Sequence, residues 1–336
     1  MTAVVIPVRP AGADPWKQAI APREWHFPQD HGAHPEYRTE WWYFTGNLFG
    51  SDGHRYGYQL TFFRQGIVQD RRLPNSSWSI RDLYLAHFAL TDINEGRFLV
   101  FERASRTGPG LAGSETTGLN VWLLSWSAKM KGGVIRLTAV EGDRSIELEL
   151  RPRKPVVLHG KGGLSQKGTM PGQASYYASL TDLSTRGTLR VPGKEKPIQV
   201  QGVSWFDHEF GSNQLSSQQV GWDWFGLHLS DGRDLMLYLL RRQDGSVDIA
   251  SGTVVEPDGQ TRQVEASDIR IHVSRHWKSP KSGATYPARW TIHLSRHQVN
   301  LEVESLVADQ ELVTKESTGV TYWEGAVAGR GQSRGQ

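Results

Sequence analysis

The 336-residue chain contains no cysteine. A disulfide framework and a thiolate metal site are therefore excluded, and the absence suits an oxidising compartment, where a stray thiol is a liability. No stretch approaches the roughly 18–20 consecutive apolar residues that cross a bilayer as a helix. The opening MTAVVIPVRPAGADP has a short apolar run and then prolines. It lacks the roughly 7–15 apolar residues behind a basic start that mark an export signal, so the expectation is either a cytoplasmic protein or the residues left after a signal was removed. Charge of one sign is scarce too. The 38 Lys and Arg against 35 Asp and Glu leave a formal net charge of +3 without a long basic run, so nucleic acid is not an expected partner. Helical periodicity is nearly missing, and only residues near 213–219 read as a short helix. No Gly-rich run follows a strand and opens a helix, which leaves nucleotide binding without support.

What remains is rich in Trp (13) and Gly (36), a balance that favours pleated sheets broken by turns. From Glu40 onward, strand-like runs alternate with turn signals. The turns include SDGHR (51–55), NEGR (94–97), EGDR (141–144), SDGRD (230–234), QDGS (243–246) and EPDGQ (256–260). Asp-Gly and Glu-Gly pairs of this kind favour tight hairpins. The runs between them include YGYQLTFFR, YLAHFAL, VIRLTAV, SIELEL, LMLYLLR and ARWTIHL. The expected fold class is all-β and antiparallel, with two consecutive barrels or sandwiches. Residues 1–35 hold several prolines and read as an arm packed on the surface. The expected domains are 36–205 and 206–336.

Two segments echo each other. EWWYFTGNL (40–48) and GWDWFGLHL (221–229) align Trp41 with Trp222, Tyr43 with Trp224, Phe44 with Phe225 and Leu48 with Leu229. Two residues of slippage bring SDG at 51–53 onto SDG at 230–232, and each hairpin runs on to an Arg, Arg64 or Arg241. An internal duplication accounts for this most simply. Strand alternation places Trp42, Phe44, Gly46 and Leu48 on one face of the first copy, opposite Trp41, Tyr43, Thr45 and Asn47. In the second copy Asp223, Phe225, Leu227 and Leu229 oppose Trp222, Trp224, Gly226 and His228. Faces that mix rings with a few polar groups fit a wall that packs on one side and lines a ligand space on the other.

WFDHEFGS supplies the densest chemistry. If extended, Asp207 and Glu209 share a face with Trp205, while His208 shares the other with Phe206 and Phe210. Two carboxylates on one aromatic-walled face have a route to a raised pKa, through lost solvation and mutual repulsion, and so to a general acid near neutral pH. The plain alternative is a cluster that ties the two halves together through hydrogen bonds and Arg partners. Asp223, between two Trp that point the other way, is an acid candidate or simply a partner for a neighbouring strand. Glu40 is an acid or a partner of a nearby base. His87 lies on an apolar face, where a histidine is usually a satisfied interior group. The pairs HVSRH (272–276), HLSRH (293–297) and HGAH (31–34) suggest no third ligand, so no metal is expected. Neither GLSQKG nor GVSWFDH resembles a nucleophile elbow.

These stretches together carry a resemblance. FPQDHGAHPEYRTEWWYFTGNL (27–48), YLAHFALTD (84–92), LHGKGGLSQKG (158–168), ASYYASLT (174–181), GVSWFDHEFGS (202–212), GWDWFGLHLSDGRDLMLYLLR (221–241), YPARWTIHL (286–294) and GVTYWEGAV (319–327) resemble the AttH/CrtC-like family. That family includes carotenoid 1,2-hydratases, predicted secreted hydrolases and fungal relatives acting on polyene natural products. The resemblance implies two lipocalin-like domains and an extracytoplasmic location, and the motifs look more like the exported branch than the carotenoid hydratases. Members usually continue past the YWEGAV-like strand, so an altered closure of the second barrel is expected.

Three functions stand. One is a hydro-lyase adding water across C=C of a polyene or isoprenoid; one is a carrier of a hydrophobic ligand; one is a secreted hydrolase or a cyclase. The expected partner is a hydrophobic small molecule, with a membrane surface as a candidate neighbour and no cofactor. The expected catalytic groups are Asp207, His208, Glu209 and Asp223. The expected ligand-binding groups are Glu40, Trp42, Tyr43, His87, Trp205, Trp222, Trp224, His228 and Tyr238, around a largely apolar cavity.

Overall fold

The computed structural model describes residues 15–69, 80–213, 216 and 218–333. The helix expected near 213–219 falls partly on positions 214, 215 and 217, outside the described residues, and Gln219 already begins a strand. The described chain is all-β and antiparallel, as the turn and alternation pattern predicts, with three single-turn 3-10 helices.

One large sheet organises the first two thirds. Its main path runs through Arg97–Arg106, Asp82–Asp92, Arg55–Gly66, Thr39–Gly50, Ile198–Gly211, Ala174–Arg190, Arg144–Pro152, Val134–Glu141, Trp126–Lys131, Asn120–Leu123 and Ala112–Ser114. The sheet curls until its ends nearly meet. Arg103, on the first of these strands, spans the seam: its guanidinium bonds the Glu141 carboxylate (2.8 Å), the Val140 carbonyl and Ser125 Oγ, and lies 4.3 Å from the Trp126 ring centre. Inside sits one apolar core containing Trp42, Phe44, Leu60, Phe62, Phe88, Trp126, Leu148 and Phe206. The strand Ile198–Gly211 runs through position 205/206 and stays paired with Thr39–Gly50 along its length, so the chain leaves this sheet only after Gly211.

The rest forms two four-stranded sheets. Gln219–His228, Asp234–Arg242, Val247–Val255 and Thr261–Val264 make one. Ile269–Lys278, Thr285–Leu294, Val299–Ser305 and Val327–Ser333 make the other. Phe225, Leu237, Val254, Trp290, Ile292 and Val303 fill the space between them. Two short strands, Val157–Leu158 and Leu164–Gln166, pair with Ala174–Arg190, and a short ribbon, Glu311–Val313 with Thr321–Trp323, completes the described strands.

The echoed segments both fold as hairpins, at 39–66 and 219–242. Gly53 and Gly232 occupy equivalent turn positions at φ +82° and +83°, a left-handed region that costs glycine little. Phe44 and Phe225, aligned in sequence, are each buried in their own core.

The N-terminal arm is more than a surface strap. Trp16 lies against Gly66, where an added Cβ would meet its ring at 2.2 Å. Asp30, His31, Ala33 and His34 are buried, so residues 28–35 plug one end of the first barrel. Asp30 and His34 find polar partners there, while the His31 ring packs against Phe27 and Phe206.

Candidate active site between the two halves

The register of the large sheet sets the site. Tyr43 stands opposite Asp207, and Asp207 opposite Ser179, so three polar side chains form a row on the outer face of the barrel. This face packs against the strand Asp234–Arg242, with Tyr177, Trp205, Met236, Tyr238 and Leu240 as a second core. The aligned residues of the two echoed hairpins meet here: the rings of Tyr43 and Trp224 lie edge to face, with centres 5.5 Å apart. Trp205 meets Trp224 in the same way at 5.8 Å.

Asp207 is buried beneath these rings. Its carboxylate accepts from Ser179 Oγ (2.5 Å), Trp205 Nε1 (2.6 Å) and Tyr177 Oη (2.7 Å). Tyr177 in turn accepts from Trp224 Nε1 at 3.1 Å. Behind Ser179 stands the buried His159, 2.8 Å from Ser179 Oγ and 2.9 Å from Thr253 Oγ1. Burial pushes His159 down to about 3, so it is neutral.

A second carboxylate enters from the far end of the chain. Tyr43 Oη donates to Glu324 Oε1 at 2.5 Å. Burial raises Glu324 to about 7, against the Tyr43 bond and with the charge of Asp207 adding to the rise. Asp207 is likewise raised to about 7: burial outweighs its three hydrogen bonds, and the Glu209 charge adds. Burial also lifts Tyr43 well above 10, with the Glu324 charge assisting, so its phenol keeps its proton and donates. Tyr43, Trp224, Tyr322 and Glu324 are each half-buried.

The remaining expected residues divide. His87 adjoins Tyr322. Its Nδ1 lies 2.8 Å from Tyr322 Oη and its Nε2 2.9 Å from Ser317 Oγ, which donates to Glu102. Burial lowers it to about 4, so it is neutral. Glu209 is beside the site but committed: it pairs with Lys167 Nζ at 2.9 Å and accepts from Ser175. Tyr238 donates to the Gln166 carbonyl under Lys167, whose ammonium stands 4.2 Å from its ring centre. His228 sits at the rim, bonded to Asp234 and near the Trp205 ring.

Five expected residues lie elsewhere. Glu40, Trp42 and His208 point into the first barrel, on the opposite face of the same strands. Glu40 is fully buried, and its pKa is driven far down because Arg64, His208 and His34 outweigh the burial that would raise it. It is a fixed charge and donates no proton. Trp222 is 59% exposed and walls nothing. Asp223 pairs with Arg241 at 3.0 Å, which is the plain structural role. The sequence had no local reason to single out Glu324, Tyr177, Ser179 or His159. Glu324 and the Tyr177–Ser179 run lie within the quoted motifs GVTYWEGAV and ASYYASLT, but only pairing places them beside Asp207.

One depression among the described residues lies apart from these groups. It is about 310 Å³, at the barrel mouth lined by Ala33, Arg64, Asp82, Tyr84 and Trp122 among others.

The AttH-like family profile matches residues 18–336. A crystal structure from Nitrosomonas europaea, designated an AttH, shares 32% identity over 94% of this chain and 96% of its own, with a TM-score of 0.83. Kievitone hydratase from Nectria haematococca superposes with a TM-score of 0.70 at 15% identity, covering 96% of this chain and 92% of its own. No curated protein sequence matches the chain.

Proposed function

The chain belongs to the AttH-like family, and from that premise we propose that it adds water across a carbon–carbon double bond of a hydrophobic, polyene- or isoprenoid-type small molecule. One observation carries this reading: Asp207 and Glu324, two carboxylates both raised to about 7, stand together beside the rings of Tyr43, Trp205 and Trp224. The kievitone hydratase with the same fold is named for a hydration, which agrees with the reading; the reaction itself is argued from the site.

Donor count divides the roles. Asp207 accepts three hydrogen bonds from groups that have protons to give, an arrangement that suits its anion. Among the described residues, the Glu324 carboxylate accepts from Tyr43 alone. When the pair holds one proton, Glu324 carries it. Glu324 transfers that proton to one alkene carbon, and the π electrons form the new C–H bond. The adjacent carbon becomes a cation, steadied by ring faces at ~0.5–2 kcal/mol each. A water oxygen bonds to that carbon while Asp207 takes the proton the water sheds. Return of that proton to Glu324 resets the pair, and the net change is one added water.

The test is incubation with linear isoprenoids and polyenes in heavy-oxygen water, followed by mass spectrometry. The expected product has gained one water carrying the label. Retention of the probes without any conversion across the panel would overturn the reaction in favour of a carrier.

A further inference from the structure

A second polar cluster lies on the opposite face of the same strands, and the proposed hydration makes no use of it. His34 Nδ1, Glu40 Oε1 and His208 Nε2 converge inside the plugged end of the first barrel, all within 4.8 Å of one another. All three residues are buried, Glu40 and His208 completely. We propose that this trio is a binding site for a divalent transition metal, with Zn2+ the best match to a two-histidine, one-carboxylate donor set.

Hydrogen-bond accounting carries the inference. His208 Nδ1 lies 3.1 Å from the Asp30 carbonyl, and His34 Nε2 lies 3.2 Å from Asp30 Oδ1. Those outer nitrogens face acceptors and must carry hydrogen. A neutral imidazole then has a bare lone pair on its other nitrogen. In both rings that inner nitrogen is 2.9 Å from the same carboxylate oxygen, Glu40 Oε1. Two lone pairs aimed at an anionic oxygen repel it. Either both rings take a second proton or a cation lies among the three atoms. A dipositive ion with two neutral rings has the same total charge as two imidazolium ions, so the surroundings tolerate either filling. Bonds of 2.0–2.1 Å in a tetrahedral site set ligand atoms about 3.3 Å apart, so an ion fits once each nitrogen stands a few tenths of an ångström farther from Oε1 than 2.9 Å.

The supporting shell has the form a metal site requires. Each histidine is oriented through its far nitrogen by Asp30, which Arg23 holds at 2.8 Å. The His34 ring stacks on Phe210 at 3.6 Å and the His208 ring on Trp42 at 5.1 Å. Arg64 bonds the other oxygen, Oε2, at 3.0 Å, so its guanidinium does not compete for Oε1, which takes only a shared backbone N–H from His34 at 3.1 Å besides the two rings. Its charge is shared with Asp82 and with the His34 and Tyr37 carbonyls.

Sequence spacing could not find this site. HGAH offers His31 and His34 as the pair, but the fold uses only His34 and recruits Glu40 and His208 instead.

The experiment is metal analysis of the full chain after growth with added zinc, then removal by chelator and titration with Co2+. The expected result is about one zinc per chain, a tetrahedral Co2+ absorption band after exchange, and a Zn2+-dependent rise in melting temperature. His34→Gln should reduce retained zinc at least tenfold, while His272→Gln/His293→Gln, on the exposed sheet, should leave it unchanged. A folded wild-type chain that retains no zinc and gives no Co2+ band overturns the proposal, whatever the variants do. Zinc retained equally by His34→Gln overturns it as well.

Discussion

Consecutive residues of the strand Ile198–Gly211 serve two different interiors. Phe206, His208 and Phe210 face into the first barrel, and Trp205, Asp207 and Glu209 face the second half. Both sides bury carboxylates, with opposite electrostatic outcomes. On the inner side Glu40 meets Arg64 and two histidines, and its pKa is driven far down. On the outer side Asp207 and Glu324 meet neutral donors and each other, and both rise to about 7. Burial raises all three. What differs is whether a cation answers it, so depth alone does not make an acid.

The largest expected effect falls on the outer side. Glu324→Gln keeps the Tyr43 contact but removes the transferable proton, and turnover should drop about 10²–10⁴-fold with the fold intact. Single-turnover assays beside thermal melts check this; full activity in Glu324→Gln would remove it from the chemistry. The inner side should respond in stability instead. Glu40→Gln strands Arg64 without its buried partner, and unfolding in denaturant should show a loss of about 3–5 kcal/mol. A change under 1 kcal/mol would mean the inner cluster is as loosely coupled as a surface pair.

Acid and base separate the two faces next. Glu40 has a depressed folded pKa, so its contribution is present above its ordinary value near 4.5 and fades as pH falls below it. Asp207 and Glu324 behave oppositely. Between their ordinary values near 4 and about 7 the folded chain keeps protons that the unfolded chain has released, so stability declines as pH rises through that window. Asp207→Asn combined with Glu324→Gln should flatten the decline, and denaturation midpoints at pH 4.5 to 7.5 measure it. The smallest effect belongs to Trp222, which the echo paired with Trp41. As an exposed ring it should be replaceable by Ser within about 0.5 kcal/mol and without change in turnover.

The sequence by itself determined what a period of two can determine. Alternation along WFDHEFGS put Asp207 and Glu209 with Trp205 and set His208 opposite, because neighbouring side chains in a strand have no other choice. Asp-Gly turns marked the hairpins, and the motif chain marked the family. Tertiary structure alone decided which groups meet. Tyr43 reaches Glu324 across 281 positions and His208 reaches Glu40 across 168. Alternation also could not say which face of this strand looks inward: Glu40 and Trp42 enter the barrel, while Tyr43, next to Trp42, faces Glu324 and Asp207 on the outer side. Strand order and register fix such contacts, and they follow from the burial of a whole core rather than from any short stretch.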